Sequence, residues 1–397
     1  MQLRFARRVA NAKKSFIREI FKVLGQKDMI SFSGGFPNPS SFPIEGIKAA
    51  AIKVLDSDGA NALQYSSTEG YLPLREYIAK RYFARFELKV DPSEILIVNG
   101  SQQAFDLISK VFLDIGDTVV VEKPAYLGAL QSFGFYEPTY KVVPLTETGL
   151  DLVALKDALK DNPKLMYVVP NFQNPTGLTY SNENRIAIAD LLRKTDTILI
   201  EDDPYGELRF KGIDHQPIKS VLDEQTILLG SFSKIVSPGM RMGWIVAKKE
   251  IMEKLVIAKQ ASDLHSNYFT QRIITQYLMD NDIDKHIETI KAMYLKQREQ
   301  MLTSMKQYFD PSITYTQPEG GMFLWVTLPE GVSAMKLFES AVVQKIVYVP
   351  GDPFYTVGED LNTLRMNYTN STPKEIDEGV QRLAKVFNEA IKKTNSR

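Results

Sequence analysis

The sequence predicts an α/β protein with a mostly parallel sheet in a large domain and a smaller α+β domain behind it. Five apolar runs, each followed by a polar loop, alternate with stretches of helical spacing, which is typical of a parallel sheet covered by helices. A helical pattern over 284–308 contains no Gly or Pro and is the expected link between the domains. The predicted division is an arm and loop over 1–43 that packs with the small domain, a large domain over 44–283, and the linking helix with the small domain over 284–397.

Composition and charge exclude several classes of protein. The chain has 397 residues, with 48 Lys and Arg against 48 Asp and Glu, so no net field favours nucleic acid or an anionic membrane. It has no Cys, which rules out disulfides, thiolate nucleophiles and Cys-ligated metals, and its 3 His form no His-x-x-x-His pair. No apolar run approaches the roughly 18 residues of a membrane-spanning helix. We therefore expect a cytoplasmic protein without a bound metal.

The N-terminal segment is basic. Residues 1–18 contain several Lys and Arg and no acid, which superficially resembles an organelle transit peptide, but we interpret them as an amphipathic arm packed on the folded body. A short strand and a Gly/Pro loop follow over 30–39, where the Gly-Gly pair ending at Gly35 can form an ordinary turn or let the backbone approach a ligand. Helical spacing then predicts helices over 44–56 and 72–86.

The next apolar runs end in residues suited to ligand binding. The run 94–98 leads into Gly100, Ser101 and Gln102 at the start of a helical pattern. A helix N-terminus can bind an anion, although Ser101 is equally suited to a plain helix cap. The sequence therefore leaves both uses open at this point.

Three further strand ends follow. The run 118–122 leads to Tyr126, the run 165–169 leads to a turn beginning at Asn174, and the run 197–200 ends in three acids, Glu201 to Asp203. Taken singly, these are an ordinary core aromatic, a turn signal and loop acids. In open α/β sheets, however, ligands gather at the carboxyl ends of the strands, so these residues are candidates for one site.

The run 227–229 stops at Ser231, Ser233 and Lys234, with Arg241 shortly after. A lone Lys after a strand is usually a solvated side chain, because an unpaired ammonium is costly to bury. Here two hydroxyls and a guanidinium suit the oxygens of a phosphate monoester. A lysine among apolar residues and beside another cation loses proton affinity, so its amine can attack a carbonyl. Pyridoxal 5'-phosphate (PLP) has both an aldehyde and a phosphate and is the expected cofactor.

The C-terminal part predicts the remaining elements. A strand over 242–246 closes the sheet, and helices over 249–280 break at His265-Ser266-Asn267. Arg365 lies within a further apolar strand, so its charge needs an anion, for which a nearby acid and a ligand are equal candidates. The other predicted elements are two short strands within 314–326, a helix over 333–343, strands over 347–351 and 364–368, and a helix over 373–392.

The motif Ser-x-Ser-Lys followed by Pro-Gly-x-Arg-x-Gly-Trp, around Lys234 and Arg241, resembles the lysine motif of fold-type I, class I/II PLP-dependent aminotransferases. The Gly34-Gly35 loop, Arg18 and the stretch Pro-Asn-Phe-Gln-Asn-Pro-Thr-Gly are similar to the 2-aminoadipate and kynurenine subgroup. The resemblance covers nearly the whole chain. It implies the fold-type I architecture with a seven-stranded sheet and a homodimer, and we predict on its basis that the Asn174–Pro175 bond is cis.

The resemblance also implies roles for individual residues. Lys234 binds the cofactor and moves the substrate proton, Asp202 faces the pyridine nitrogen, Tyr205 bonds the phenolic oxygen, and Arg365 binds the substrate carboxylate. Asp203 is expected to face away. The other implied contacts are Gly100, Ser101, Gln102, Tyr126, Asn174, Ser231, Ser233 and Arg241 with the cofactor, Tyr65 with the cofactor of the neighbouring subunit, and Gly35, Asn174 and Arg18 with the substrate.

These inferences predict an aminotransferase that moves an amino group from an L-amino acid of the 2-aminoadipate, aromatic or branched-chain type to a 2-oxo acid, with 2-oxoglutarate as the expected acceptor. Two alternatives remain. A C–S β-lyase on the same fold would release pyruvate from cystathionine without an acceptor. A non-catalytic module that senses amino acids or PLP is the other, although such regulators carry a winged helix-turn-helix ahead of this domain and this chain begins with the arm.

Overall fold

The computed structural model describes residues 3–10, 28–356 and 362–395. The strands in chain order are β1 (Ile30–Ser31), β2 (Ile95–Val98), β3 (Thr118–Lys123), β4 (Thr139–Thr146), β5 (Gly149–Leu150), β6 (Leu165–Val168), β7 (Ile198–Asp202), β8 (Thr226–Ser231), β9 (Gly243–Val246), β10 (Thr314–Tyr315), β11 (Phe323–Thr327), β12 (Ile346–Val347), β13 (Val349–Pro350) and β14 (Thr363–Asn367). The α-helices are α1 (Arg7–Ala10), α2 (Ile44–Ala62), α3 (Leu72–Phe86), α4 (Ser101–Phe112), α5 (Leu127–Gly134), α6 (Leu152–Ala158), α7 (Asn182–Leu192), α8 (Lys249–Asp263), α9 (Tyr268–Asp280), α10 (Ile283–Tyr308), α11 (Ala334–Val343) and α12 (Pro373–Asn395).

The largest sheet among the described residues has eight strands in the order β2-β9-β8-β7-β6-β3-β4-β5. The neighbours from β4 through β3, β6 and β7 to β8 pair in parallel, whereas β9 runs antiparallel to both β8 and β2. The mostly parallel sheet is therefore confirmed. The expected seven strands are joined by an eighth, because the two-residue β5 pairs with the end of β4.

Both faces of this sheet are buried. In β6, Leu165 and Tyr167 belong to the larger hydrophobic core, and Met166 and Val168 belong to a second core. Successive side chains of a strand point to opposite faces, so a sheet covered by helices on both sides requires unbroken apolar runs. This is why β2 and β6, which are buried along their whole length, were recognisable in the sequence as strands.

A second, antiparallel sheet has the order β10-β11-β14-β13 and lies in the C-terminal part. It places Arg365 of β14 between Trp325 of β11 and Val349 of β13. The N-terminal segment joins this part of the molecule, because β1 pairs in parallel with β12 and sets Ile30 opposite Ile346. The pairing is compatible with the expected packing of the segment before α2 on the small domain, and the domain boundaries themselves stay a prediction.

The helix α10 begins after Asp282, whose side chain accepts a hydrogen bond from the backbone N–H of Lys285 at 3.0 Å. It extends over 26 residues, so the long helix predicted over 284–308 is present. The predicted break near His265 is also present, because α8 ends at Asp263 and α9 begins at Tyr268. None of the described helices combines the length and apolar character needed to cross a membrane.

Two strand predictions differ from the structure. The predicted strands lack β4, whose sequence includes Lys141 and Pro144 and so breaks the apolar pattern. Proline removes a backbone donor, and β4 tolerates it beside the edge of the sheet, where only the short β5 follows. The single strand expected over 347–351 is two short strands, β12 and β13, which belong to different sheets.

Candidate active site

Most of the residues singled out in the sequence line one cavity of about 440 Å³ at the carboxyl ends of β7 and β8. That volume is within the range of small-molecule sites in proteins. The predicted residues that line it are Gly35, Gly100, Ser101, Gln102, Tyr126, Asn174, Asp202, Tyr205, Ser231, Ser233, Lys234, Arg241 and Arg365.

Lys234 follows β8 and lies in the wall of this cavity. Its Nζ donates a hydrogen bond to the backbone oxygen of Gly35 at 2.8 Å. Burial, together with the positive charges of Arg365 and Arg241, lowers the pKa of Lys234 to about 8. The unprotonated fraction of this amine near neutral pH is therefore much larger than that of an ordinary lysine, and the unprotonated form is the one that attacks a carbonyl.

Asp202 ends β7 and is buried. Its Oδ2 accepts a hydrogen bond from the Tyr167 hydroxyl at 2.9 Å, and its Oδ1 is buried with no hydrogen-bond partner among the residues that the structure describes. Burial raises the pKa of Asp202 to about 7, against the opposing effects of the nearby Tyr167 and Ser101 hydroxyls. An unpaired buried acceptor on the cavity wall fits a ligand that brings a proton donor, such as a protonated ring nitrogen.

Asn174 and Tyr205 lie together on the same wall. The Asn174 Nδ2 lies 3.5 Å from the Tyr205 hydroxyl oxygen, and both side chains are buried. Burial raises the pKa of Tyr205, so its hydroxyl keeps its proton and can donate it to a ligand oxygen. The Asn174–Pro175 bond is cis, which confirms the prediction.

A second group of residues that line the cavity has the character of an anion site, and we call Gly100, Ser101, Ser231, Ser233 and Arg241 the phosphate end. Ser101 is the first residue of α4, so backbone N–H groups that have no partner within the helix are available here to bind an anion. The hydroxyls of Ser231 and Ser233 are 2.9 Å apart.

Gly100 is required by this arrangement. Its φ is +81°, and a Cβ at this position would lie 2.7 Å from an Arg241 guanidinium nitrogen. A side chain at this position would therefore both strain the backbone and displace the guanidinium of Arg241. Arg241 is held in turn by the backbone oxygen of Asn99, which accepts a hydrogen bond from NH2 at 2.8 Å.

Arg365 is buried and lines the same cavity. Its NH1 donates to Asn174 Oδ1 at 2.8 Å, its NH2 donates to the backbone oxygen of Ser33 at 2.6 Å, and its guanidinium lies 4.3 Å from the centre of the Phe323 ring. Within the described ranges no acid forms an ion pair with Arg365, so the salt bridge considered as an alternative is not found. Burial lowers the pKa of Arg365 to about 10, because no described acid is paired with it to offset the loss of solvation.

Two residues singled out in the sequence lie outside this cavity, and a third falls outside the described residues. Tyr65 lies outside this cavity, is 78% exposed, and has its ring against that of His265 at 5.9 Å. Arg18 lies outside the described residues. Asp203 lies outside the cavity, as expected, and accepts hydrogen bonds from Asn171 Nδ2 at 3.0 Å and from the backbone N–H of Gly206 at 2.9 Å. Among the described residues, no group of His, Asp or Glu is arranged to hold a metal ion.

Sequence reasoning missed Tyr167, which holds the second oxygen of Asp202. Its ring packs edge-on against Phe105 and Phe133, with centroids 5.5 and 5.8 Å away. In a fully buried strand an aromatic residue is indistinguishable from ordinary core, so no local pattern identifies it. Only the parallel register of β6 and β7, with Tyr167 opposite Ile200, brings its hydroxyl near Asp202.

The residues present fit PLP at both ends. A reactive amine, an unpaired buried carboxylate oxygen, a phenol beside an amide and an anion site match the aldehyde, ring nitrogen, phenolic oxygen and phosphate of this cofactor. Tyr126 supplies an aromatic ring to the same cavity. The fold and site thus define a PLP-dependent enzyme of fold type I.

The chain belongs to the aminotransferase class I and II family, whose model matches residues 27–383. It is 40% identical to aromatic-amino-acid aminotransferase 1 of Thermococcus litoralis, over 98% of this chain and 95% of the relative. It is 39% identical to the 2-aminoadipate transaminase of Thermus thermophilus, over 96% of both chains. The solved structure of an α-aminoadipate aminotransferase from Thermus thermophilus, complexed with N-(5'-phosphopyridoxyl)-L-leucine, covers 98% of both chains at 38% identity with a TM-score of 0.91. The protein is therefore an aminotransferase that uses PLP.

Proposed function

We propose that this aminotransferase takes the amino group from an L-amino acid of the 2-aminoadipate, aromatic or branched-chain type and passes it to 2-oxoglutarate. The observation behind this proposal is that Lys234, the unpaired Asp202 Oδ1 and the buried, acid-free Arg365 line one cavity. The relatives at about 40% identity are named for aromatic and 2-aminoadipate donors, which supports this range of substrates.

We assign the chemistry to the residues as follows. PLP, when bound, supplies a carbonyl for the amino group and a ring that accepts electrons from the substrate carbon. Lys234 would hold the cofactor through its amine and, once the substrate has displaced it, would move a proton from the substrate Cα to C4', the carbon that carries the aldehyde in the free cofactor. Asp202 keeps the ring nitrogen protonated, and the Tyr205 and Asn174 side chains donate to the phenolic oxygen.

The phosphate end holds the cofactor in place while its bond to Lys234 is exchanged. The hydroxyls of Ser101, Ser231 and Ser233, the N-terminus of α4 and the Arg241 guanidinium provide donors and positive charge for a dianionic group. We also assign Gln102 to the donors that bind the phosphate, although its Nε2 donates to the backbone oxygen of Gly128 at 3.0 Å in this structure. The ring of Tyr126 would stack on the pyridine ring.

Arg365 is the proposed binding group for the substrate α-carboxylate. A guanidinium binds a carboxylate by two parallel hydrogen bonds, and Asn174 lies beside it to complete the pocket. The backbone at Gly35 lies next to Lys234 and approaches the substrate without a side chain in the way. We place Arg18 near the distal end of the substrate, as the resemblance implies.

We further propose a cytoplasmic homodimer in which Tyr65 reaches the cofactor of the second subunit. Tyr65 and the neighbouring Leu63, 68% exposed, leave a large apolar surface open on a single chain. Ile44, at the other end of α2, is a further exposed apolar side chain, with 66% of its surface accessible. Exposed apolar patches of this kind mark association surfaces.

The choice of amino donor is tested with purified enzyme and single amino acids, by following the absorbance change of the cofactor. If Arg18 meets a distal carboxylate, Arg18→Ala should lower kcat/KM for 2-aminoadipate by about 30-fold, equivalent to about 2 kcal/mol, and change that for leucine by less than about twofold. Arg8→Ala, on the same basic segment, is the matched control.

Equal losses of kcat/KM for all donors would show that Arg18 does not select the donor, and they would not contradict the proposed transamination. Pyruvate release from cystathionine without any 2-oxo acid would instead identify a C–S lyase. Wild-type enzyme that exchanges amino groups with neither 2-aminoadipate, aromatic nor branched-chain donors would overturn the proposed substrate class.

A further inference from the structure

A polar cluster lies behind the phosphate end, at the end of α8. We call Lys259, Asp263, Asn99 and Gln103 the Asp263 cluster. The carboxylate of Asp263 accepts hydrogen bonds from the Lys259 ammonium at 2.9 and 3.0 Å, from Asn99 Nδ2 at 2.8 Å and from Gln103 Nε2 at 2.6 Å. These residues come from two separate helices and the turn before α4, and Asn99 and Asp263 are 164 positions apart in the chain.

The position of Asp263 is electrostatically unusual. It is the last residue of α8, where the helix dipole places a partial negative charge and disfavours an acid. Lys259 is fully buried and pairs with Asp263 one helical turn earlier, which offsets part of this cost. The hydrogen bonds from Asn99 and Gln103 offset the rest of this electrostatic cost. The contacts of Asp263 outside its own helix therefore explain why an acid is tolerated at this helix end.

The Asp263 cluster is directly connected to the phosphate end. Asn99 immediately precedes Gly100, and its backbone oxygen is the acceptor that holds the Arg241 guanidinium. The backbone N–H of Asn99 donates to Gln103 Oε1 at 2.8 Å, and the Lys259 ammonium donates to the same oxygen at 3.1 Å. The side chain and the backbone N–H of Asn99 are therefore both fixed by the cluster, and with them the turn that opens α4.

We propose that Asp263 is a positioning residue for the cofactor phosphate: through Asn99 and Gln103 it fixes the turn at Gly100 and the acceptor of Arg241. The inference rests on the proposed role of the phosphate end. A positioning role for Asp263 predicts weaker binding only of ligands with a phosphate, because only these depend on the geometry of the phosphate end. A purely structural ion pair would not affect PLP and pyridoxal differently. Pyridoxal, which lacks the phosphate, shares every other contact with PLP.

The test is the substitution Asp263→Asn in the full chain, with the cofactor removed and then titrated back as PLP or as pyridoxal. An amide at position 263 must place its NH2 group against either the ammonium or the two amide donors, so at least one bond of the cluster is lost. Because hydrogen bonds to charged groups contribute most, we expect the Kd for PLP to rise by about tenfold. The Kd for pyridoxal should change by less than about twofold.

Asp280→Asn is the matched control. Asp280 is the last residue of α9 and accepts hydrogen bonds from Lys53 at 2.7 and 2.9 Å and from Gln276 at 2.8 Å, a similar set of donors away from the cavity. Its substitution should leave both dissociation constants unchanged. Asn99→Ala is the second variant, in case Asp263→Asn fails to fold. It removes one side-chain bond of the cluster and should weaken PLP binding by about threefold without affecting pyridoxal.

Equal weakening of PLP and pyridoxal, or no weakening of either, would overturn the positioning role. Failure of the proposed phosphate end itself is distinguishable, because the wild-type chain would then bind PLP no better than pyridoxal. A preference of the wild-type chain for PLP that survives both Asp263→Asn and Asn99→Ala contradicts the inference and leaves the proposed site standing.

Discussion

Replacement of Lys234 by Ala should abolish turnover. Lys234 has two proposed tasks, to hold the cofactor and to move the substrate proton, and it is the one lysine among the described residues that line the cavity. Loss of general acid–base catalysis alone costs 10²- to 10⁴-fold, and loss of the covalent link adds to it, so we expect a decrease in kcat of at least about 10,000-fold. Steady-state transamination with a 2-oxo acid acceptor measures it.

Lys211→Ala is the control for this experiment. Lys211 is about half exposed and pairs with Glu299 on the surface at 2.6 Å. Its loss should leave kcat unchanged, because surface ion pairs contribute little to stability and Lys211 does not line the cavity. A Lys234→Ala enzyme that still turns over at a measurable fraction of the wild-type rate would refute the assignment of the amine.

Asp202→Ala should cause the second-largest loss, at least about 1,000-fold in kcat/KM, because it removes a preorganised charge from a buried site. The carboxylate ends β7, and its Oδ1 lacks a partner among the described residues. Without it nothing favours the protonated ring nitrogen, so the ring accepts electrons poorly. Comparison of kcat/KM for the wild type and the variant, both saturated with PLP, measures this effect.

Asp203→Asn tests whether the loss of activity is specific to Asp202 or follows from the loss of any buried acid at the end of β7. Asp203 is the next residue, and it bonds Asn171 and Gly206 instead of lining the cavity. Its substitution should lower the free energy of unfolding by about 1–3 kcal/mol and leave kcat/KM nearly unchanged. Comparable losses of activity at positions 202 and 203 would contradict the separate role of Asp202.

The site was predictable from sequence because its residues follow strands. Each buried parallel strand is an unbroken apolar run, and the sheet brings the ends of those runs together, so the acids at 201–203 and Lys234 could be assigned to one site from strand order. The choice of Asp202 among the three acids came from the family resemblance. Lys234 could be singled out because two hydroxyl residues and an arginine are close to it in the chain.

The features that sequence could not provide depend on distant contacts. Tyr167 looks like core in its own strand and becomes part of the site only through the pairing of β6 with β7. Asp263 reaches Asn99 across 164 positions, which no local pattern signals. The strand β4 was not predicted, because Pro144 and Lys141 interrupt its apolar pattern at a sheet position that is only partly buried.

Tyr65 shows a different limit. Its expected ligand belongs to a second subunit, and in the single chain it is an exposed ring beside His265. Neither its sequence neighbours nor its contacts within one chain indicate what it binds. Its role therefore stays a prediction that a structure of the assembled dimer would decide.

The claim that Lys234 holds the cofactor is tested most directly by reducing the holoenzyme with borohydride, which makes the bond between lysine and cofactor permanent. Digestion and mass spectrometry then identify the modified peptide. The account predicts that the cofactor is found on Lys234 and on no other lysine. A cofactor attached to a different lysine, or to none, would contradict it.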